Sequence, residues 1–271
     1  MEVIEVDDPS DPRIADFVGL RDHELRLRRE SAGGDLAGIF VAEGDVVVER
    51  ALRAGYEIRS ALVDATRTKP LPQAVPRGTT VFAAGPNVIR HITGMGVHRG
   101  MMAAMARRAP STPAEVLAGA TRIVVLERVV NPTNLGVIAR SAAGLGADAI
   151  RLDPTSVDPL YRRASRFSMG EVFALPHARL PPFPEGLDLV TGHGFSLLAL
   201  SPGATESIDD VRLDPSEKVA LVLGSEGPGL ESATLARIRR QVHIPLHRNV
   251  DSLNVAAAAA IACYVLGRGR S

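Results

Sequence analysis

Arg140 lies alone in an otherwise apolar helical stretch, Leu135 to Leu145, beside alanines and glycines. An isolated guanidinium there needs a partner, either an acid such as Glu127 or an anion on a ligand. A glycine-rich turn, Gly224-Ser-Glu-Gly-Pro-Gly229, follows the apolar run Leu221 to Leu223. Glycine lets a backbone approach a ligand closely, and it equally suits a plain tight turn. Further on, Ser252-Leu253-Asn254 leads from a polar loop into a long alanine-rich helix, which places Ser252 to cap that helix. Asn134 stands at the start of the Arg140 helix, where capping is its natural role. Finally, Tyr161 to Gly170 sets Arg162, Arg163 and Arg166 beside Tyr161 and Phe167. Cations mixed with aromatic rings suit exposed RNA, or an ordinary charged surface loop.

Other chemistries find no support. The glycine turn follows a late strand and lacks the Gly-x-Gly-x-x-Gly spacing of dinucleotide folds, and no Walker lysine is present. Cys263 is the single cysteine, which excludes an internal disulfide or a cysteine metal cluster. Formal net charge is zero, so any RNA contact must come from local patches rather than an overall field. Lysine occurs only at Lys69 and Lys218, so the arginine richness reads as a compositional bias and is weak evidence for RNA. The first residues are acidic and polar, unlike a secretory signal, and the run Val255 to Leu266 is too short to span a bilayer. A cytoplasmic protein is expected.

These residues need elements to position them. Residues 1–18 read as a loose arm, and Val18 to Glu30 as a charged helix carrying Arg26 and Arg29. Strands at 38–41, 56–63, 81–83 and 101–106, with helices at 45–54 and 86–93, make a first α/β layer unit over residues 1–108. Residues 109–117 have the proline content of a linker. A second unit, 118–271, alternates strands near 122–127, 148–152, 172–175, 195–200, 218–223 and 242–246 with helices near 134–145, 185–191, 229–241 and 252–268. That alternation implies a mostly parallel sheet covered on both faces.

Three segments, in this order, resemble the motifs of the SpoU/TrmH family of RNA ribose methyltransferases. They are Asn-Leu-Gly-x-x-x-Arg-x-Ala (Asn134 to Ala142), Gly-x-Glu-Gly (Gly224 to Gly227), and Ile244-Pro245 with Ser252-Leu253-Asn254-Val255. The stretch Phe40-Val41-Ala42-Glu43-Gly44 is similar to the start of the family's N-terminal domain, which resembles ribosomal protein L30e. The resemblance therefore implies an α/β chain with a C-terminal SPOUT-type domain, trefoil-knotted around a parallel sheet, and an N-terminal L30e-like substrate-binding domain. It implies S-adenosylmethionine as cofactor, with Gly224, Ile244 and Leu253 as its main contacts and Leu200, Leu223, Pro245, Leu246 and Ala256 as neighbours.

For catalysis the resemblance implies Arg140, Asn134, Glu226, Ser252 and Asn254. Guanidinium stays protonated, so Arg140 would clamp a phosphate and stabilise charge on the ribose hydroxyl rather than act as a free base. RNA contacts are expected from Arg162, Arg163, Arg166, Arg26 and Arg29. The reaction implied is methylation of a ribose 2′-hydroxyl in structured RNA, with 23S ribosomal RNA favoured over transfer RNA. No metal takes part, and a homodimer through the C-terminal domain is expected. Two departures from the family pattern stand beside the cofactor motif: Ala256 where many relatives have serine, and His247-Arg248-Asn249 in a loop that is smaller in relatives. If these abolish the cofactor site, the alternative is a non-catalytic RNA-binding or ribosome-assembly protein on the same scaffold.

Overall fold

Alternating apolar residues that bury one strand face, or both, account for most of the architecture in this computed structural model. It describes residues 2–18, 38–93, 100–214, 216–248 and 250–267. Apart from Val18, the charged helix expected over 18–30, with Arg26 and Arg29, lies outside the described residues. The chain forms two units: Met1–Ala109 together with Leu160–Ala174, and Pro110–Pro159 together with Leu175–Ser271.

In the first unit β1 (Glu2–Val6), β2 (Ile39–Glu43), β3 (Ile58–Asp64), β4 (Thr80–Ala84) and β5 (Met101–Ala106) form a mixed sheet in the order β1-β4-β3-β5-β2. The helices α1 (Asp45–Arg53) and α2 (Pro86–Thr93) fall where the sequence periodicity puts them. The expectation of a loose N-terminal arm is corrected. Its first residues pair in parallel with β4, and a 3-10 turn, Pro12–Phe17, buries Ile14 and Phe17. Val6, Ile14 and Phe17 pack into a core with Leu62, Phe82 and Met102, apolar anchors masked in sequence by the acids around them.

Leu160–Ala174 was expected inside the second domain and instead belongs to the first unit. It is also helical where a loop and a strand were expected: after α3 (Pro113–Leu117) and α4 (Pro132–Gly144), both outside this segment, α5 spans Arg162–Phe167 within it, with a 3-10 turn at Glu171–Phe173. Glu43 explains the placement. Its carboxylate accepts from Arg162 at 2.6 Å and from Arg166 at 2.7 Å. Glu43 and Arg162 are 5% and 8% exposed, a buried pair whose partners stand 119 residues apart in sequence.

The second unit carries a seven-stranded, all-parallel sheet. Its strands are β6 (Arg122–Leu126), β7 (Ala149–Leu152), β8 (His177–Arg179), β9 (Phe195–Leu200), β10 (Glu206–Ser207), β11 (Lys218–Leu223) and β12 (Arg240–His243). They lie in the order β10-β12-β9-β11-β6-β7-β8. The chain steps outward through β6, β7 and β8, then jumps to β9 and returns to insert β11 between β9 and β6. Three expectations are corrected here. The strand expected at 172–175 is β8, five residues later, because the earlier apolar residues pack as the 3-10 turn. Ile244 to Leu246 leave the sheet as loop. The linker 109–117 contains α3, opened by a capping box in which Thr112 and Glu115 exchange bonds.

Ile123 and Val125 of β6 join Leu117, Leu187, Val190, Phe195, Ala220 and Val222 in one core. The helices α6 (Gly186–Gly192), α7 (Ser232–Arg237) and α8 (Val255–Gly267) complete the unit, and α8 packs on α4 and on β11. Ala139, Ala142, Ala259 and Ala262 are fully buried, which is how two helices built on alanine and glycine can approach closely. Among the described residues no helix is long and apolar enough to cross a membrane.

Candidate active site

The insertion of β11 between β9 and β6 creates a switch point, and open parallel sheets bind ligands outside their carboxyl ends at such points. A cavity of about 480 Å³ lies there. Leu200, Leu223 and His243, the last residues of β9, β11 and β12, line its floor, with the whole turn Gly224–Leu230 and much of the loop from Ile244 to Val255 around it. Seven of the eight residues expected at the cofactor line this cavity: Leu200, Leu223, Gly224, Ile244, Pro245, Leu246 and Leu253. Ala256 does not. It is 3% exposed within the first turn of α8, and Ala258 lines the cavity instead.

Gly224 has a specific steric duty. A Cβ there would meet Gly229 C at 2.2 Å and Leu230 N at 2.3 Å, backbone that cannot move aside cheaply. The turn doubles back on itself, with a bridge between Ser225 and Gly229, and its left-handed corners fall at Gly227 and Gly229 (φ 81° and 72°). The close approach is therefore to the turn's own far end, which brings all seven residues to the cavity wall.

Three remote segments meet at the rim. Asn254 Nδ2 donates to Asn134 Oδ1 at 3.2 Å and also to Glu226 Oε1. Asn254 Oδ1 in turn accepts from the Ala256 N–H at 2.9 Å, so Asn254, rather than the expected Ser252, caps α8. Ser252 is exposed and lines the cavity. A parallel correction applies to α4: Asn131 caps it, accepting from Thr133 N–H at 2.9 Å, and Asn134 sits inside the first turn, 5% exposed. The capping bond fixes which face of the Asn254 amide is oxygen, and so aims its N–H groups at Asn134 and Glu226.

Arg140 stands apart. It is exposed on α4, does not line the cavity, and makes no hydrogen bond or ion pair among the described residues. Glu127, its candidate partner in the sequence, is committed elsewhere: its carboxylate accepts from Glu231 N–H at 2.9 Å and from the Thr234 hydroxyl. Burial pushes the Glu127 carboxyl up from its ordinary value, against the hydrogen bonds from Thr234 and Glu231.

Of the residues expected on RNA, Arg162 is spent on the buried pair with Glu43, whereas Arg163, Arg166 and Phe167 are exposed. Tyr161 is 5% exposed, so Phe167 is the ring of this group open to stacking. Sequence reasoning missed several lining residues, among them Ser201, Pro202, His243, Val250 and Asp251. Leu200 was the signal for the first two, since a strand end at a switch point carries its following loop with it. His243 Nδ1 is buried with no hydrogen-bond partner.

The architecture is that of an α/β protein with a cavity at its strand ends and an amide–carboxylate cluster at the cavity's mouth. Comparison with known proteins gives the family. Residues 121–264 match the SpoU rRNA Methylase family, and the chain belongs to that family. It is 37% identical over 267 residues to an uncharacterized tRNA/rRNA methyltransferase of Mycobacterium tuberculosis, covering 97% of this chain and 91% of the relative. It is 30% identical to the 23S rRNA (guanosine(2553)-2′-O)-methyltransferase of Bacillus subtilis, covering 84% and 88%. Among solved structures, an AdoMet-bound rRNA methyltransferase from Sinorhizobium meliloti aligns with a TM-score of 0.80 at 26% identity, covering 98% of each chain.

Proposed function

We propose that this protein methylates a ribose 2′-hydroxyl in structured RNA, using S-adenosylmethionine bound in the cavity at the ends of β9, β11 and β12. The observation that carries the reading is the convergence of Asn134, Glu226 and Asn254 at the rim of that cavity. The site fits the cofactor by shape and chemistry. Its volume suits a nucleoside-sized ligand. Leu200, Leu223, Ile244 and Leu246 offer apolar walls for a flat ring, while His243 supplies a buried nitrogen in want of a partner. Glu226 and Asp251 give the cavity two carboxylates, suited to a ligand carrying an ammonium and a sulfonium group. When bound, the cofactor supplies an electrophilic methyl on sulfur, which leaves as the new O–CH₃ bond forms.

The chain's own residues then hold the hydroxyl. The amide of Asn254, locked by its capping bond, and Asn134 behind it fix the Glu226 carboxylate, which accepts from the sugar. Arg140, unpaired and exposed, grips the neighbouring phosphate and stabilises negative charge growing on the 2′-oxygen, while phosphate or water takes the proton. Because Arg140 lies outside the cavity lining, RNA must bring its phosphate to α4. Arg163, Arg166 and Phe167, with Arg26 and Arg29, are the RNA contacts of this reading, and the first unit is its substrate-binding domain.

The Bacillus subtilis relative named above supports ribosomal over transfer RNA, and 23S rRNA in particular. The reading includes a homodimer through the second unit, supported by the apolar stripe Ala257, Ile261 and Tyr264, which α8 leaves exposed, and a cytoplasmic location. Calorimetry with S-adenosylmethionine tests it. Saturable binding lost in Gly224→Ala is expected, whereas no binding by the parent leaves the non-catalytic RNA-binding alternative in its place.

A further inference from the structure

The turn Gly224–Leu230 contributes every one of its residues to the cavity wall, yet its internal ties are slight: Gly229 N–H donates to the Ser225 carbonyl at 3.1 Å. Its ends are held by one residue, Glu127, which directly follows β6. At the near end, Glu127 N–H donates to the Leu223 carbonyl at 2.9 Å. At the far end, Glu231 N–H donates to Glu127 Oε2 at 2.9 Å and the Thr234 hydroxyl donates to Oε1. Glu127 and Thr234 are 2% and 0% exposed. Glu231 opens α7 but makes no side-chain cap of its own, so the Glu127 carboxylate serves as the cap from across the sheet.

We propose that Glu127 is a positioning residue for the ligand cavity, stapling both ends of the Gly224–Leu230 turn to the end of β6 and thereby setting Glu226 against Asn254. The binding arm of this inference rests on the cavity's reading as a cofactor site, and the exchange arm rests on the turn alone. The carboxylate's two buried hydrogen bonds serve the fold as well. Burial raises its folded pKa, so its contribution to stability is present below the ordinary carboxylate range and lost as pH rises through the folded value. At neutral pH the ionised carboxylate is thus less favourable to the fold than its protonated form, while its hydrogen bonds hold the wall in place.

Glu127→Ala, Glu127→Gln and the milder Thr234→Val test the staple. Glutamine keeps it: the side-chain carbonyl accepts from Glu231, and the amide donates to a Thr234 hydroxyl that turns to accept. Glu127→Ala is expected to weaken S-adenosylmethionine binding by about tenfold or more in calorimetry. Amide exchange across residues 224–231, measured without ligand, should quicken by a similar factor. Glu127→Gln should stay within about threefold of the parent in both, and melt no lower. Thr234→Val should fall between, and it stands in if the alanine variant does not fold. Parental exchange in the turn of a folded Glu127→Ala or Thr234→Val variant overturns the staple, as does a glutamine variant as impaired as the alanine one. A parent that binds no S-adenosylmethionine, with the exchange pattern intact, keeps the staple and overturns the cofactor reading.

Discussion

Asn254 does two jobs with the two ends of one amide, and they can be separated. Asn254→Ala removes both. Loss of the cap on α8 costs about 1 kcal/mol, and the stranded, buried Asn134 carbonyl costs about 1–2 kcal/mol more. At roughly 2–4 °C per kcal/mol for a unit of this size, the melting temperature should fall by about 4–12 °C. Asn254→Asp keeps the acceptor that caps Ala256 N–H and adds negative charge at a helix N-terminus, which favours the fold. It also deletes the donor to Asn134 and Glu226 and sets a carboxylate against Glu226. The aspartate variant still strands the Asn134 carbonyl but keeps the cap, so its melting temperature should fall by about 2–8 °C, less than that of the alanine variant. Its methyl transfer should drop about hundredfold, the usual penalty for misplaced reacting groups. Differential scanning fluorimetry and a tritiated-methyl assay on ribosomal RNA read the two quantities. An aspartate variant that keeps parental activity would refute the assignment of the rim cluster to the reaction.

Arg140→Ala should change stability by less than about 0.5 kcal/mol, since the side chain has no partner to lose. Cofactor affinity should also hold while transfer falls by about 10²–10³, and single-turnover kinetics with calorimetry separate the two. Gly224→Ala is expected to abolish measurable cofactor binding by driving a methyl into Gly229 and Leu230, without altering far-ultraviolet circular dichroism. Arg162→Met removes the buried cation paired with Glu43, which is 5% exposed. It should destabilise the first unit by about 3 kcal/mol, measured by urea unfolding, and an unchanged midpoint would contradict the buried pair.

What the sequence revealed were features written in local spacing. Turns at strand ends were legible as glycine and proline punctuation, so Leu223, Gly224, Ile244 to Leu246 and Leu253 were read as cavity lining, while His243, Val250 and Asp251 were not. The parallel sheet followed from continuous apolar strands such as Arg122–Leu126 and Lys218–Leu223. The misses have a common cause in partners distant along the chain. Nothing near Arg162 announces that Glu43 will bury it, so Arg162 read as exposed together with Arg163 and Arg166. Each helix cap was placed wrongly, in opposite directions, because Ser252, Asn254, Asn131 and Asn134 are all competent caps and packing chooses among them. The pairing of β1 with β4 lies some 78 residues off in sequence, from Glu2 to Thr80, beyond the reach of local periodicity.

The central claim is tested most directly by the product itself. Ribosomal and transfer RNA are incubated with the protein and S-adenosylmethionine, digested to nucleosides and resolved by mass spectrometry. The account predicts a new 2′-O-methyl nucleoside from ribosomal RNA, absent with Asn254→Asp and Arg140→Ala. A methyl group found on a base, or a ribose methylation undiminished in both variants, would contradict it.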